Sequence, residues 1–498
     1  MRMEFLFDGS LATPVLILLA AALLLALGFE FVNGFHDTAN AVATVIYTHT
    51  LKPTQAVIWS GTWNFLGVLT SSGLVAFGII ALLPVELIIN VGSGASFAMV
   101  FALLVSAIIW NLGTWYLGLP ASSSHTLIGS IVGVGLMNSL MSAGSKFGEG
   151  VNWGKVSDVG MSLLISPLIG FVCAALLLWL AKKLISNPDL YRAPEGNKPP
   201  PLWIRAILML TCTGVSFAHG SNDGQKGMGL IMLILIGIVP ATYALNLDTS
   251  PDQIHKIVAS TQKVAGVLQL SGKVQPMTAD EAKDALSQYL RAGKIDDRTY
   301  AALAQKNQEV ANTIASANAF KDIPVEARRT LRSDIYLLSE SIGKLVKADT
   351  SITPENRTTL NAYKDQIKGV TNFIPTWVKV AVALALGLGT MIGWKRIVVT
   401  VGEKIGKAHL TYAQGASAEL VAMVTIGAAD VMGLPVSTTH VLSSGIAGTM
   451  FANKSGLQRD TVRNLILAWV LTLPVCVFMG AMLFAAGLFM VLRVFGMH

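Results

Sequence analysis

The sequence is poor in charged side chains, and this excludes most soluble folds. Asp, Glu, Lys and Arg make up 13% of the 498 residues, about half of the roughly 25% that is typical of soluble domains. Hydrophobic residues make up 53% and form many runs of the roughly 20 residues that cross a bilayer. We therefore predict a multi-pass membrane protein in contact with lipid. The net charge of +7 fits basic loops beside a membrane, so no nucleic acid partner is expected.

Cysteine and metal-binding motifs are also scarce. The only cysteines, Cys173, Cys212 and Cys476, lie in apolar runs and are interpreted as small packing residues rather than as a disulfide or metal set. The sequence has no His-Glu-x-x-His motif and no Cys/His spacing of the kind that binds zinc. We therefore predict no metal site and no cofactor.

The apolar segments predict an all-α polytopic membrane protein with about ten transmembrane helices. Two segments, residues 12–47 and 203–245, are too long for one straight span, and each contains a polar motif. We therefore predict a broken or re-entrant helix at both motifs. The remaining apolar segments are residues 54–82, 96–118, 120–140, 159–181, 375–394, 412–430, 435–452 and 463–492.

Two polar motifs each occur twice within the apolar sequence. Residues 33–40 read NGFHDTAN, and residues 219–226 read HGSNDGQK. Residues 118–125 read GLPASSSH, and residues 433–440 read GLPVSTTH. Duplicated polar segments with Gly and Pro at membrane depth are typical of transporters that are built from two inverted repeats and hold their substrate between them.

The second repeat is interrupted by a polar insert. From Asp37 to Pro120 the chain advances by 83 residues, whereas from Asp223 to Pro435 it advances by 212, and the difference of 129 is the length of residues 246–374. This polar region contains helix-start signals, such as the capping-box pattern from Thr278 to Glu281. We divide the chain into repeat 1 (residues 1–181), a linker (182–202), repeat 2 (203–245 and 375–498) and a soluble helical insert (246–374).

Short basic loops predict the orientation of the chain. The linker carries Lys182 and Lys183, and the loop that follows residue 394 carries Lys395, Arg396 and Lys404. Both are expected on the cytoplasmic side, because basic residues accumulate in cytoplasmic loops. The linker is then cytoplasmic, the insert and the amino terminus lie on the outer, periplasmic side, and the repeats are inverted.

Three charged residues of the motifs lie at membrane depth. A charge at the bilayer centre costs roughly 2.5–3.5 kcal/mol on insertion scales. We therefore do not expect Asp37, Asp223 and Lys226 to occur there by chance. They either take part in transport or form a structural ion pair, for instance Asp37 with Lys226. Other polar residues carry less signal and stay outside the candidate site: Glu30, Asn64, Asn111, Glu419 and Asp430.

The second motif has the composition of a helix start. Pro suits the first turn of a helix, and Ser and Thr supply caps and hydroxyl donors. Free N–H groups and the helix dipole bind anions there, so two converging starts suit a tetrahedral oxyanion. Alternatively, the hydroxyls only cap helices or fill tight helix contacts. The residues concerned are Ser122, Ser123, Ser124, Ser437, Thr438 and Thr439.

Four of the eight histidines, His36, His125, His219 and His440, fall within the motifs. Histidine titrates near neutral pH and suits proton coupling, although a single buried histidine is as readily a packing residue. The candidate set for coupling and charge is His36, His125, Asn222, Lys226 and His440.

These motifs, their order and the insert resemble the inorganic phosphate transporter (Pit) family, in particular its bacterial proton-coupled type. Residues 33–47, 110–129, 219–229 and 435–448 carry the resemblance. It implies an inner-membrane transporter with phosphate held between two inverted repeats, and phosphate that can travel as a neutral complex with a divalent metal. The residues that it places in substrate or ion binding are Asp37, Asn40, Ser122, Ser123, Ser124, Asp223, Ser437, Thr438 and Thr439.

Two departures from the family pattern bear on the coupling ion. Sodium-coupled members resemble Gly-x-Asn-Asp-x-x-Asn in both copies of the first motif. Here His36 replaces the leading Asn of the first copy, and Lys226 replaces the trailing Asn of the second. Because an ammonium group would occupy the place of a cation, we predict that protons rather than sodium drive transport.

We thus expect a secondary transporter that imports inorganic phosphate by proton symport. The alternatives are a transporter of another tetrahedral oxyanion, such as sulfate, a sodium-coupled phosphate symporter, or an anion channel. An intramembrane hydrolase that uses His36 and Asp37 with His125 or His440 is disfavoured, because a hydrolase needs a nucleophile or metal set rather than the same set twice. The chain is therefore not expected to be an enzyme. A homodimer is left open, because no dimerisation face stands out.

Overall fold

The computed structural model describes residues 13–494, apart from residues 38, 84–93, 143–145, 150, 197 and 272–275. The regular structure of this part of the chain is helical, with one isolated β-bridge between Gly406 and Leu457. This confirms the predicted all-α class. Repeat 1 contains α1 (Thr13–Asp37), α2 (Ala39–Tyr47), α3 (Pro53–Thr70), α4 (Leu74–Ile80), α5 (Gly94–Tyr116), α6 (Ser123–Met141) and α7 (Trp153–Leu184).

The segments assigned to repeat 2 lie before and after the predicted insert in the chain. Repeat 2 begins with a long helix and a single turn, and it resumes after the insert with five helices. Its helices are α8 (Leu202–Ile238), α9 (Pro240–Tyr243), α15 (Thr376–Met391), α16 (Lys395–Glu403), α17 (Tyr412–Val431), α18 (Thr438–Ala452) and α19 (Arg459–Phe489). The insert contains α10 (Pro251–Ser271), α11 (Ala279–Ala292), α12 (Asp297–Ala315), α13 (Val325–Ala348) and α14 (Pro354–Thr371).

Within the described residues, six helical stretches are long and apolar enough to cross a membrane. Two further pairs, α3 with α4 and α14 with α15, reach the same criterion together but are bent by 75° and 76°. The structure thus has six candidate spans, or eight if each bent pair is one span. The six are Val15–Tyr47, Gly94–Tyr116, Ser123–Met141, Trp153–Leu184, Leu202–Ile238 and Arg459–Phe489.

The second copy of the first motif does not interrupt its helix. Around the first copy, the described helices are Thr13–Asp37 and Ala39–Tyr47, and the one residue between them lies outside the described residues. In repeat 2, α8 continues through the motif without a break and ends only at Ile238, so the break predicted at this motif is wrong. The glycines of α8 serve close packing instead. A Cβ atom at Gly220 would lie 2.2 Å from the carbonyl oxygen of Asn64 on α3.

The helices of the two repeats pack against each other reciprocally. In each repeat, the helix that carries the first motif packs on a helix of the other repeat. The helix α1 packs on α15, and α8 packs on α3. Likewise, α6 packs on α19, and α18 packs on α7. A Cβ at Gly133 would lie 2.0 Å from Val477 O, and a Cβ at Gly448 would lie 2.1 Å from Phe171 O. Two structurally related halves would produce this exchange of contacts.

The insert has a hydrophobic core of its own, which includes Leu286, Phe320 and Leu338. Its two ends meet, because Asn246 N donates to Val370 O at 2.7 Å. Its helices begin where the sequence signals predict. The Thr278 hydroxyl caps α11 as part of a capping box, and α14 begins at Pro354 after its cap residue. The side of the membrane on which the insert lies stays a prediction.

Candidate functional site

The second motif forms a capped helix start in both repeats. The Ser122 hydroxyl accepts the N–H of His125 at 3.2 Å, and the Ser437 hydroxyl accepts the N–H of His440 at 3.1 Å. Both serines are N-caps, and α6 and α18 begin at the next residue. The predicted helix starts are therefore present, although the prolines lie two residues before the caps and not in the first turns.

The two helix starts converge, as the sequence predicts. The Ser124 hydroxyl of one start donates to the carbonyl oxygen of Val436, which directly precedes the other cap, at 2.7 Å. The rings of His125 and His440 lie 4.6 Å apart, and His440 stacks on Trp469 at 4.1 Å. The two copies of the motif therefore form one cluster between the repeats.

Asp37 lies at this cluster and receives hydroxyl donors from both helix starts. Its carboxylate accepts from Thr439 Oγ1 at 2.5 Å and from Ser123 Oγ at 3.1 Å. His36 Nδ1 lies 3.3 Å from Asp37 Oδ1, and His36 Nε2 lies 3.0 Å from Thr114 Oγ1. The side chain of Asp37 is thus buried among polar but formally neutral hydroxyls, with an imidazole as its neighbour.

Asp223 lies beside the only buried ammonium group among the described motif residues. Lys226 Nζ is 2.8 Å from Asp223 Oδ2 and donates to Ser123 Oγ at 3.0 Å. Both side chains are essentially inaccessible to solvent. Lys226 therefore pairs with the carboxylate one turn earlier on its own helix, and not with Asp37 as the sequence suggested. Ser123 connects the two carboxylates, since its hydroxyl lies within 3.4 Å of both.

His219 also belongs to the cluster, although sequence reasoning left it outside the candidate set. Its Nε2 is 3.3 Å from Asp223 Oδ2 and 4.0 Å from Asp37 Oδ2, and its Nδ1 is 2.8 Å from Asn64 Oδ1. Positions 219, 223 and 226 fall on one face of a continuous helix. This spacing would have identified His219, but the predicted helix break concealed it.

Three of these side chains also form a group that could hold a cation. Asp37, His219 and Asp223 each offer one ligand atom, and these atoms lie within 4.8 Å of one another. The sequence contains no local signal for this set, because Asp37 lies far from the other two in the chain. The ammonium group of Lys226, already 2.8 Å from Asp223, disfavours a second cation at that carboxylate oxygen.

Several buried polar atoms of the cluster have no hydrogen-bond partner among the described residues. They are donors and acceptors that a bound ligand could satisfy, and leaving each one unpaired costs about 1–3 kcal/mol. Such atoms are more common at binding sites than in structural cores. The atoms that point to a ligand here are Asp223 Oδ1, Thr438 Oγ1, His125 Nδ1 and His440 Nε2.

Two of the predicted site residues, Asn222 and Asn40, are not among the contacts of Asp37 and Asp223 described above. Asn222 Nδ2 donates to Leu434 O at 3.1 Å, and so holds the turn that leads to the second helix start. The side chain of Asn40 lies outside the described residues. Glu30, which the sequence left aside, is fully buried against α8, because a Cβ at Gly227 would lie 2.2 Å from Glu30 Cγ. Its position within a long apolar helix gave no motif signal.

Two packed halves with buried polar helix starts between them, and helices long enough to span a bilayer, define a multi-pass membrane protein of the transporter type. Residues 33–480 match the model of the phosphate transporter family. The chain belongs to this family.

Its relatives are transporters and not enzymes. The chain is 42% identical to the low-affinity inorganic phosphate transporter PitA of Escherichia coli strain K12, over 98% of this chain and 99% of PitA. It is 41% identical to PitB of the same strain, over 96% of this chain and 98% of PitB. A solved structure, the sodium-dependent phosphate transporter, is similar with a TM-score of 0.50 and 18% identity, over 94% of this chain and 98% of that chain. At that identity the likeness shows the fold alone.

Proposed function

We propose that the chain imports inorganic phosphate across the bacterial inner membrane by symport with protons. The observation that carries the proposal is the buried ammonium group of Lys226, 2.8 Å from Asp223 and 3.0 Å from Ser123 Oγ. A fixed positive charge beside converging hydroxyl donors suits an anion. The names of the relatives, which are low-affinity inorganic phosphate transporters, support phosphate as that anion.

The hydroxyls and helix starts supply the remaining recognition. Thr438 Oγ1 has no partner among the described residues and is buried. It lies in the first turn of α18, where free N–H groups and the helix dipole also favour negative charge. Ser123 likewise lies in the first turn of α6, although its hydroxyl already contacts both carboxylates. A tetrahedral oxyanion can accept hydrogen bonds from several donors of this kind.

The two carboxylates have different roles in coupling. Bare carboxylates repel phosphate, so each must be neutralised when the substrate binds. Lys226 already compensates Asp223. Asp37 is contacted by hydroxyls and by His36, so a proton on Asp37 or His36 is what neutralises it. Because loading this proton removes the repulsion, proton and phosphate bind together, and the repeats then open the site inward.

Radiolabelled phosphate uptake into proteoliposomes tests the proposal. The purified protein is placed under an imposed proton gradient or an imposed sodium gradient, with sulfate as competitor. We expect uptake above the equilibrium level under the proton gradient, without inhibition by sulfate. Uptake that requires sodium would reject proton coupling, competition by sulfate would reject phosphate specificity, and uptake that only equilibrates would indicate a channel.

The Lys226→Asn variant tests the role of the fixed charge. Asn removes the ammonium group and restores the residue that resembles the sodium-coupled pattern. We expect proton-driven uptake to fall and dependence on sodium to appear. Full proton-driven uptake without any sodium dependence would contradict this role of Lys226.

A second candidate is the import of phosphate as a neutral complex with a divalent metal. The observation that favours it is the group formed by Asp37, His219 and Asp223, since carboxylate and imidazole groups are ligands of divalent metals. Radiolabelled manganese added with phosphate tests it. Equal molar uptake of both labels, lost in His219→Gln, would support the complex, and phosphate uptake that is unchanged when a chelator is present would reject it.

A further inference from the structure

A cleft outside the transport site combines basic and aromatic side chains. It has a volume of about 670 Å³ and lies between the end of α5, the turn after it, and α16. Trp115, Tyr116 and Trp394 form aromatic walls, and Lys395, Arg396 and Lys404 are its charged groups. All three charged groups that line the cleft are therefore positive, so the cleft favours an anionic ligand.

The central arginine is held in place by its neighbours. Arg396 Nη1 donates to the carbonyl oxygen of Tyr116 at 2.9 Å. Its guanidinium carbon lies 5.3 Å from the ring of Trp115 and 5.1 Å from the ring of Tyr116. Trp115 is fixed in turn, because its Nε1 donates to Gly393 O at 2.8 Å. An ordered guanidinium group binds a phosphate group more tightly than a free one, because less side-chain entropy is lost.

An exposed apolar stripe leads along α5 to the cleft. Ile109, Leu112 and Tyr116 are 51%, 39% and 66% exposed. Spacings of three and four residues place them on one face of the helix. Free phosphate has no apolar part that would bind such a surface, whereas the acyl chains of a lipid would cover it. The tryptophans beside the cleft are also typical of the level at which lipid headgroups lie.

We propose that this cleft binds the headgroup of an anionic phospholipid, with the acyl chains along the stripe of Ile109, Leu112 and Tyr116. Arg396 and the two lysines contact the headgroup phosphate, and Trp115 and Trp394 pack at its glycerol end. The site is separate from the transport site, because none of its lining residues belongs to the cluster around Asp37 and Asp223.

Native mass spectrometry of the full-length protein tests this site. The protein is delipidated in detergent and titrated with dioleoyl phosphatidylglycerol, or with dioleoyl phosphatidylcholine as a lipid without net charge. We expect Lys395→Gln/Lys404→Gln to weaken the binding of phosphatidylglycerol by about thirtyfold, because each basic residue near a lipid surface contributes about 1 kcal/mol. Binding of phosphatidylcholine should not change.

The matched control is Arg459→Gln/Arg463→Gln, which removes two exposed basic residues from the start of α19. The loop before this helix contacts the chain just after α16, through Lys407 N and Gly456 O at 3.1 Å, so the control pair lies on the same side of the protein. Equal weakening in both double variants would show diffuse attraction and overturn the site. Displacement of phosphatidylglycerol by millimolar inorganic phosphate would also overturn it, because the cleft would then be a free-anion site.

Both lysines of the test pair are exposed, so their replacement is not expected to affect folding. Thermal unfolding of each variant checks this point. If the double variant unfolds early, Lys395→Gln alone is used, with Arg459→Gln as its control. We then expect a loss of about fivefold for phosphatidylglycerol, and no difference from the control would overturn the proposal.

Discussion

The two motifs have diverged to different degrees between the repeats. The second motif has the same local geometry twice, with serine caps that accept N–H groups at 3.2 and 3.1 Å. The first motif does not. In one copy hydroxyls surround Asp37, whereas in the other Lys226 neutralises Asp223. The pair of capped helix starts is thus symmetric, and the charged groups beside it are not.

This asymmetry bears on the proposed coupling of transport to protons. A carboxylate with a permanent ammonium partner cannot exchange its counter-charge during a transport cycle. A carboxylate among neutral hydroxyls can. If transport is coupled to protons as proposed, the divergence between the first-motif copies would separate a fixed charge pair from the site at which the proton is loaded and released.

The largest expected effect on stability comes from removing only the carboxylate of the buried ion pair. Asp223→Asn leaves the Lys226 ammonium group buried without a carboxylate, and the loss of one partner of a buried pair costs about 3–5 kcal/mol. Thr439 and Ser123 donate to different oxygens of Asp37, so Asp37→Asn keeps an acceptor for only one of them. It leaves no ammonium group without its partner, however, so its effect on stability should be smaller. Thermal unfolding in detergent measures both.

The double variant Asp223→Asn/Lys226→Met sharpens this test. Because it removes both charges, it should regain most of the stability that Asp223→Asn loses, while phosphate uptake stays absent. Equal unfolding midpoints for Asp37→Asn and Asp223→Asn would contradict the proposed difference between the carboxylates.

The reciprocal glycine contacts should be equally sensitive in the two repeats. An alanine methyl group at Gly133 or Gly448 would meet a carbonyl oxygen at 2.0 or 2.1 Å, and such overpacking costs about 1–3 kcal/mol. Gly427→Ala is the control, because a Cβ there has nothing within 4 Å. Differential scanning fluorimetry should show two similar losses and a neutral control. A tolerated Gly448→Ala would reject the reciprocal packing.

Loss of either cap should destabilise the protein less than the glycine substitutions do, and by the same amount in both repeats. Ser122→Ala and Ser437→Ala each remove one hydroxyl that accepts an N–H group, which costs about 1 kcal/mol. The lowering of the unfolding midpoint should agree between the two variants. Thr353→Ala, at the cap of α14 in the insert, is a comparison with an aqueous helix. A loss confined to one of the two serines would show that the helix starts are not equivalent.

The smallest expected effect on stability concerns Thr438. Thr438 Oγ1 is unpaired among the described residues, so Thr438→Val should leave stability unchanged. It should nevertheless weaken phosphate binding by about threefold to tenfold, the contribution of one hydrogen bond. The KM for uptake measures this. Unchanged KM, or destabilisation of the protein, would mean that Thr438 only packs.

The class of fold and the helix starts could be predicted because they depend on short segments. Runs of about 20 apolar residues reveal spans, and the capping serines lie three residues from the N–H groups they accept. The interpretation of 203–245 failed for a physical reason as well. Glycine and polar residues within an apolar segment are typical of a helix interruption. Here buried partners on α3 and α6 form hydrogen bonds with the polar side chains, and α8 stays continuous.

The sequence alone therefore determined the membrane class, the duplicated motifs and the capped helix starts, since each depends on composition or on residues a few positions apart. Only the tertiary structure decided which charges are paired, why His219 belongs to the cluster and where the basic cleft forms. Asp37 and Thr439 are 402 positions apart in the chain. Contacts of that kind depend on helix packing, which the pattern of a single helix does not specify.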